Sequence, residues 1–265
     1  MSVRPTDEWL NNFIIVRKRN HDKSLEEIHC SILCNPLVDV FIDFSPEEIQ
    51  YVLLQNGLFQ AHEEIAMEAL EKQDTWKIVQ EEFERLKKQW NGPNVPIYIF
   101  PINQEQTFTR KNGVSYPNGL FLFIASGLEK EELKALFAHE YNHVCRLQYI
   151  NKSLDEMTLS DSLILEGLAE CAVEELYGNK RLAPWLKSYS MEDLLKIWES
   201  DFVPVLDVQG VHNHFDFLYG GKLPKWIGYC IGYEIVRTYK KNFPTSEPYL
   251  KSAVELVAGS DFPLQ

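Results

Sequence analysis

The sequence predicts an α+β fold that is mostly helical, and three observations lead there. Apolar residues recur at helical spacing over long stretches on both sides of a short central region. That region, from Pro93 to Ser126, switches to short apolar and aromatic runs, Val95–Phe100 and Gly119–Ala125, which are typical of strands. At 265 residues and 45% apolar composition the chain can bury a substantial core.

The first 92 residues read as an N-terminal helical lobe. Ser24-Leu-Glu-Glu27 and Ser45-Pro-Glu-Glu48 are capping boxes, the second with Pro at the first helical position. Asn35-Pro36 and Asn56-Gly57 stop the helices that these two boxes begin. A charged amphipathic stretch runs from about Gln60 to Trp90, with an interruption expected near Asp74, and Asn91-Gly92-Pro93 ends it. Residues 93–265 read as a second region, of mixed strand and helix character. Its small sheet is expected to be mostly antiparallel, with Asn112-Gly113 as a hairpin signal between Thr107-Phe108-Thr109 and Val114-Ser115-Tyr116. The sheet feeds a helix from about Leu128 to Tyr149, capped by Ser126 with Glu129 at N3 and amphipathic through Leu133, Leu136, Phe137, Glu140, Val144 and Leu147. Ser160 and Gly178 bound the next helix, Ser190 starts another that runs to about Ser200, and Trp226–Tyr239 is an apolar helix after a Gly-Gly-containing loop.

Within the first of these helices stands His139-Glu140-Tyr141-Asn142-His143. With 7 His in the chain, about 0.02 accidental matches to H-E-x-x-H are expected. A helical pitch of about 3.6 residues puts both imidazoles on one face, where they can grip one Zn²⁺ while Glu140 leans toward its water as general base. A catalytic zinc site needs a third protein ligand. Arg146 and Tyr149 occupy the positions where a metzincin would carry Gly and His, so the ligand is sought on the next helix. Glu166 and Glu170 sit there at i, i+4 on a buried-looking face, an unfavourable pair unless a cation lies beside them. Glu166 reads as the ligand and Glu170 as the acceptor for the far nitrogen of a ligating His. A solvated acidic stripe continuing to Glu174 is the alternative for both.

Taken together, His139–Arg146, then Leu165-Glu-Gly-Leu-Ala-Glu170, Pro224–Tyr233 and Gly259-Ser-Asp-Phe262 resemble the YjaZ-like group of predicted zinc-dependent proteases, within the gluzincin clan of metallopeptidases. The resemblance covers roughly Phe59 to the C-terminus, and its first two motifs are the specific ones. It implies a zincin-like fold, with the small sheet beside the H-E-x-x-H helix and helical lobes flanking it. It also implies zinc at His139, His143 and Glu166, with Glu140 as catalytic base. Tyr229-Cys-Ile-Gly232 is similar to a gluzincin segment whose phenol steadies the oxyanion of a tetrahedral intermediate. A core aromatic is the alternative for Tyr229, and more strongly for Tyr233. His212 and His214 are further candidates for oxyanion or substrate contact, and Arg237 either meets a substrate carboxylate or pairs with Glu234 or Asp161.

A net charge of −13 argues against nucleic acid and anionic membranes as partners and leaves peptides open. The N-terminus lacks a signal-peptide pattern and no apolar run approaches a membrane span, so a cytoplasmic location is expected. Five cysteines in irregular spacing do not form a disulfide framework, and Cys30 and Cys34 beside His29 read mostly as core. The reaction expected is zinc-assisted hydrolysis of peptide bonds. A non-peptidase zinc amidohydrolase and a catalytically silent zinc-stabilised binding protein are the alternatives, and the intact Glu140 argues against the second.

Overall fold

The computed structural model of the protein describes residues 2–20, 22–104 and 110–262. The chain divides into two compact units, residues 1–144 and 145–265. The first contains helices α1 (Thr6–Arg19), α2 (Leu25–His29), α3 (Pro46–Gln55), α4 (Met67–Lys72) and α5 (Thr75–Trp90), then strands β1 (Ile97–Pro101), β2 (Lys111–Tyr116) and β3 (Gly119–Ile124). Helix α6 (Lys130–Ile150) begins in the first unit and ends in the second, which adds α7 (Leu159–Tyr177), α8 (Met191–Ile197), α9 (Phe215–Tyr219), α10 (Ile227–Asn242) and α11 (Ala253–Gly259). The fold is α+β, as the sequence predicts.

Local chemistry explains the helix ends. Ser24 and Ser45 each close a capping box with Glu27 and Glu48, so orphan N–H groups at both helix starts are satisfied. The expected break at Asp74 is present: Asp74 takes a left-handed φ of 52° between α4 and α5. Asn91, also left-handed, ends α5, as Asn tolerates this conformation better than most residues. Beyond α2 the chain continues as a π-helical turn, Cys30–Cys34, and a 3₁₀ turn through Pro36. Two caps differ from expectation. Helix α6 starts at Lys130, after a turn at Ser126–Gly127, rather than at Leu128. Helix α7 is capped by Thr158, whose hydroxyl accepts from Asp161 N–H while the Asp161 carboxylate accepts from Thr158 N–H, so Ser160 lies inside the helix.

The sheet is mixed rather than mostly antiparallel. Among the described residues its order is β1-β3-β2, with β1 parallel and β2 antiparallel to β3. A short apolar run identifies a strand but not its partner, and β3 lies between the two strands that precede it in sequence. Asn112-Gly113 is not the hairpin turn. It lies inside β2 opposite Phe123 and Leu122, and Pro117-Asn118 makes the turn. The expected first hairpin strand, Thr107-Phe108-Thr109, lies outside the described residues. The division at 144/145 also differs from the 92/93 boundary. Main-chain bonds from Ser2 and Arg4 flank Ile97, the Thr6 hydroxyl donates to Ile99 O at 2.7 Å, and Phe59 N–H donates to Pro101 O at 3.2 Å. These bonds build the sheet into the N-terminal helices.

Helix α6 is buried almost all round from Phe137 to Arg146, with only His139 partly exposed, so it is a core helix rather than an amphipathic surface one. An aromatic ladder holds it to α5. Tyr141 stacks on Phe137 and Trp90, meets Phe83 edge-on at 5.3 Å, and donates its hydroxyl to Pro93 O at 2.8 Å. Each such ring pair contributes about 0.5–1.5 kcal/mol beyond the area it buries. Phe137 is fully buried, so Phe137→Ala is expected to lower unfolding stability by about 3–5 kcal/mol, measured by denaturant titration.

His29 is fully buried against Phe13 and Phe59, and burial depresses its pKa to about 4. A depressed folded pKa means that the unfolded chain binds the extra proton first. His29 therefore favours folding fully above pH of about 6.5, and this contribution is lost as pH falls toward about 4. His29→Gln should flatten the thermal midpoint between those pH values relative to the wild type.

Candidate metal centre

His139, Glu140 and His143 lie on one face of α6, and their ligand atoms all fall within 4.8 Å of one another. Among the described residues this is the group of His, Cys, Asp and Glu side chains that converges in this way. The two imidazole centroids are 4.6 Å apart with planes nearly perpendicular, so their nitrogens can address a common point. Ligand nitrogens about 2.0–2.1 Å from a tetrahedral zinc lie about 3.3 Å apart, within reach of this arrangement after small rotamer changes. Two imidazoles beside a carboxylate are a donor set suited to zinc. Glu140 and His143 are buried and His139 is half-buried.

Strand β2 forms the floor beneath Glu140. The Ser115 hydroxyl stands 2.9 Å from both the Glu140 main-chain oxygen and its carboxylate Oε2. A Cβ built on Gly113 would lie 2.6 Å from Glu140 Cδ and Oε1, so that position accepts only glycine while Glu140 keeps its place. Neither residue stood out in the sequence as part of the site. Gly113 gave a signal, Asn-Gly, that pointed to a turn instead.

Among the described residues β2 is also the outer strand of the sheet, with no further strand paired to it. Ala125 N–H donates to Arg110 O at 2.8 Å, which makes that opposed pair a hydrogen-bonded one. Alternation then bonds Asn112, Val114 and Tyr116 to β3 and sends the N–H and C=O of Gly113 and Ser115 outward. The other edge, at β1, is occupied around Ile97 by Ser2–Arg4.

The second unit places the remaining candidates. Glu166 and Glu170 are both buried on α7, and Glu170 accepts from Ala183 N–H at 3.2 Å. Gly167, between them, faces Gly232 of α10 across backbone contact, and a Cβ on either residue would collide with the other helix. This close approach is the role expected of Gly232. Tyr229, on the same helix, is buried in a cluster with Trp185, Tyr219 and Trp226, and its hydroxyl lies 3.4 Å from that of Tyr219.

Other candidates are committed elsewhere. The Tyr233 hydroxyl donates to Glu174 at 2.8 Å, and burial together with that carboxylate pushes its pKa up. His214 is fully buried, with one ring nitrogen 2.8 Å from the Ser162 hydroxyl and the other 2.9 Å from Val208 O. It ties the loop to α7 and has no ring nitrogen left for a substrate. His212 is exposed on a 3₁₀ turn, and Arg237 pairs with Glu234. All five cysteines are buried, and none is in a disulfide. No helix among the described residues is long and apolar enough to cross a membrane.

Residues 75–256, more than half of the chain, match the family described as Predicted Zn-dependent protease (DUF2268). The chain belongs to this family. The Bacillus subtilis (strain 168) protein named Uncharacterized protein YjaZ is 38% identical to it over 168 residues, which are 61% of this chain and 64% of that protein. A second protein of the same organism, named Uncharacterized protein YjfC, is 31% identical over 119 residues, 40% of this chain and 39% of its own length. The matched part of the chain thus spans less than two thirds of either relative. No solved structure matches. The matched stretch contains both specific motifs of the YjaZ-like group, His139–His143 and Glu166–Glu170.

The Gly167–Gly232 contact gives a direct test of the second unit. Gly232→Ala inserts a methyl group against the Leu163 carbonyl, where only backbone movement can relieve it. We expect a loss of at least about 1–3 kcal/mol in chemical unfolding, whereas Ala169→Gly on the facing helix α7 should cost only about 1 kcal/mol.

Proposed function

We propose that the chain is a zinc-dependent peptidase of zincin-like, gluzincin type with Glu140 as its general base. The observation that carries this reading is the convergence of His139, Glu140 and His143 on one helix face. His139 and His143 would hold the metal. Glu166 is proposed as the third ligand on the strength of its Glu-Gly-Leu-Ala-Glu motif and its burial on α7. When bound, zinc supplies Lewis acidity that polarises the scissile carbonyl and makes water a better nucleophile near neutral pH.

The protein's own groups do the rest. Glu140 takes a proton from the attacking water and passes it to the leaving amine, so it serves as base and then as acid. Tyr229 is proposed as donor to the oxyanion, supported by its Tyr-x-x-Gly pattern, while His214 and Tyr233 drop out because their polar atoms are bonded elsewhere. Glu170 is proposed to stand behind the ligands as a hydrogen-bond acceptor. The outward N–H and C=O groups of Gly113 and Ser115 favour a peptide over a small amide, because an extended backbone can add to β2 as a further strand.

Purified protein should contain one zinc per chain and cleave members of a peptide library, with cleavage abolished by a chelator and restored by zinc. Glu140→Gln should retain zinc and lose turnover by about a thousandfold or more. Glu166→Ala should lose zinc, read by metal analysis. Wild-type turnover in Glu140→Gln would overturn the assignment of the base, and full zinc occupancy in Glu166→Ala would overturn the third ligand.

A further inference from the structure

We propose that Ser115 and Gly113 are positioning residues for Glu140, so that the strand offered to an extended substrate is the same strand that aims the base. The inference rests on the peptidase reading for its kinetic consequence, but its geometry stands within the first unit alone.

Two features of β2 converge on one side chain. The Ser115 hydroxyl has a single hydrogen and two acceptors within 2.9 Å, both belonging to Glu140: its main-chain oxygen and its carboxylate Oε2. A hydroxyl can rotate between them, and it can also accept. Toward an ionised Glu140 carboxylate it can donate. Once Glu140 carries a proton, Ser115 can accept from the carboxyl and donate to the main-chain oxygen instead. A lone methyl at this position offers neither bond, whereas threonine offers both. Gly113 supplies the complementary restraint. Its backbone lies where any Cβ would displace the Glu140 carboxyl, 2.6 Å from Cδ and Oε1. The base is thus hooked by Ser115 and supported by the bare backbone of Gly113.

The two residues are also linked by strand register. Gly113 and Ser115 share the face that carries Glu140, and both direct their N–H and C=O toward the outer edge. A peptide pairing with that edge would bond to the two residues that hold the base. Its main chain and the base would then be referred to one rigid segment, which is what a near-attack geometry requires.

The test compares zinc-loaded wild type, Ser115→Ala, Ser115→Thr and Gly113→Ala. Ser115→Ala should lose about tenfold to a hundredfold in kcat, the factor for a missing hydrogen bond to a charged group, with KM changed by less than about twofold. Zinc content should stay at the wild-type level, and Ser115→Thr should recover kcat to within about threefold of wild type. Gly113→Ala should lose more kcat than Ser115→Ala. Wild-type kcat in Ser115→Ala, a loss of zinc in that variant, or failure of threonine to rescue it would each overturn the proposal.

A second readout does not depend on turnover. Thermal unfolding of Ser115→Ala, Glu140→Ala and the double variant should be non-additive, the double variant losing less than the sum of the singles. Strict additivity would overturn the proposal even if Ser115→Ala were slow. If the wild type cleaves no peptide, the peptidase reading fails by itself, and this cycle still decides whether Ser115 holds Glu140.

Discussion

Burying a carboxylate between two imidazoles is the constraint on which the first unit is built. Glu140 and His143 lie in a helix that is enclosed by apolar side chains, and polar groups there are costly unless each is matched. The structure meets that demand on two flanks. On one, the aromatic ladder of Phe83, Trp90, Phe137 and Tyr141 fixes the helix in position and rotation. On the other, β2 brings a hydroxyl and a bare backbone segment to Glu140. The polar face is therefore aimed by apolar packing behind it and by a strand edge in front of it. A donor set held in this way is preorganised, its side chains fixed by the shell around them.

The second unit solves a related problem by different means. Glu166 and Glu170 stand one turn apart in a buried helix, and Gly167 beside Glu166 leaves a gap toward α10. Gly167 lets α7 approach α10 at Gly232 until backbone meets backbone. Close approach of two helices fixes their axial register, so each glutamate keeps a defined position without a long side chain wedging the helices apart. The same contact sets Tyr229 and Tyr233 on the facing helix. Of these, Tyr233 is used inside the unit, bonded to Glu174, while Tyr229 joins the aromatic cluster around Trp226. His214 is likewise structural, its two nitrogens joining Ser162 to the Val208 carbonyl. The Tyr233 hydroxyl and both His214 ring nitrogens are thus used inside the unit.

The parts legible in the sequence were those written by local rules. Capping boxes at Ser24 and Ser45, the left-handed break at Asp74 and the left-handed end at Asn91 are short-range effects that involve four or five residues. H-E-x-x-H belongs to the same class, because one helical turn converts its spacing into a common face. The misjudged parts depend on partners distant in sequence. The parallel pairing of β1 with β3 cannot be read from either strand. Whether α6 is half-buried or wholly buried depends on what surrounds it, and the spacing of its apolar residues looks alike in both cases. Thr158 outcompeted Ser160 as a cap because Asp161 stands three residues after Thr158 and completes the reciprocal pair.

Gly113 shows how a local signal and a tertiary demand can compete for one residue. Asn-Gly between two apolar runs is a strong turn signal, because glycine tolerates positive φ. Here the glycine lies in an ordinary strand pairing, and its missing side chain is explained by Glu140 instead. A turn glycine and a clearance glycine are identical in sequence. They differ only in what a Cβ would strike. The same holds for Ser115, an unremarked strand serine until its hydroxyl is seen between the two oxygens of Glu140. Metal ligands announce themselves because coordination restricts residue type and spacing together. Residues that pack on a buried carboxyl are restricted only by the place they occupy, and that place is set by a strand register which no local pattern encodes.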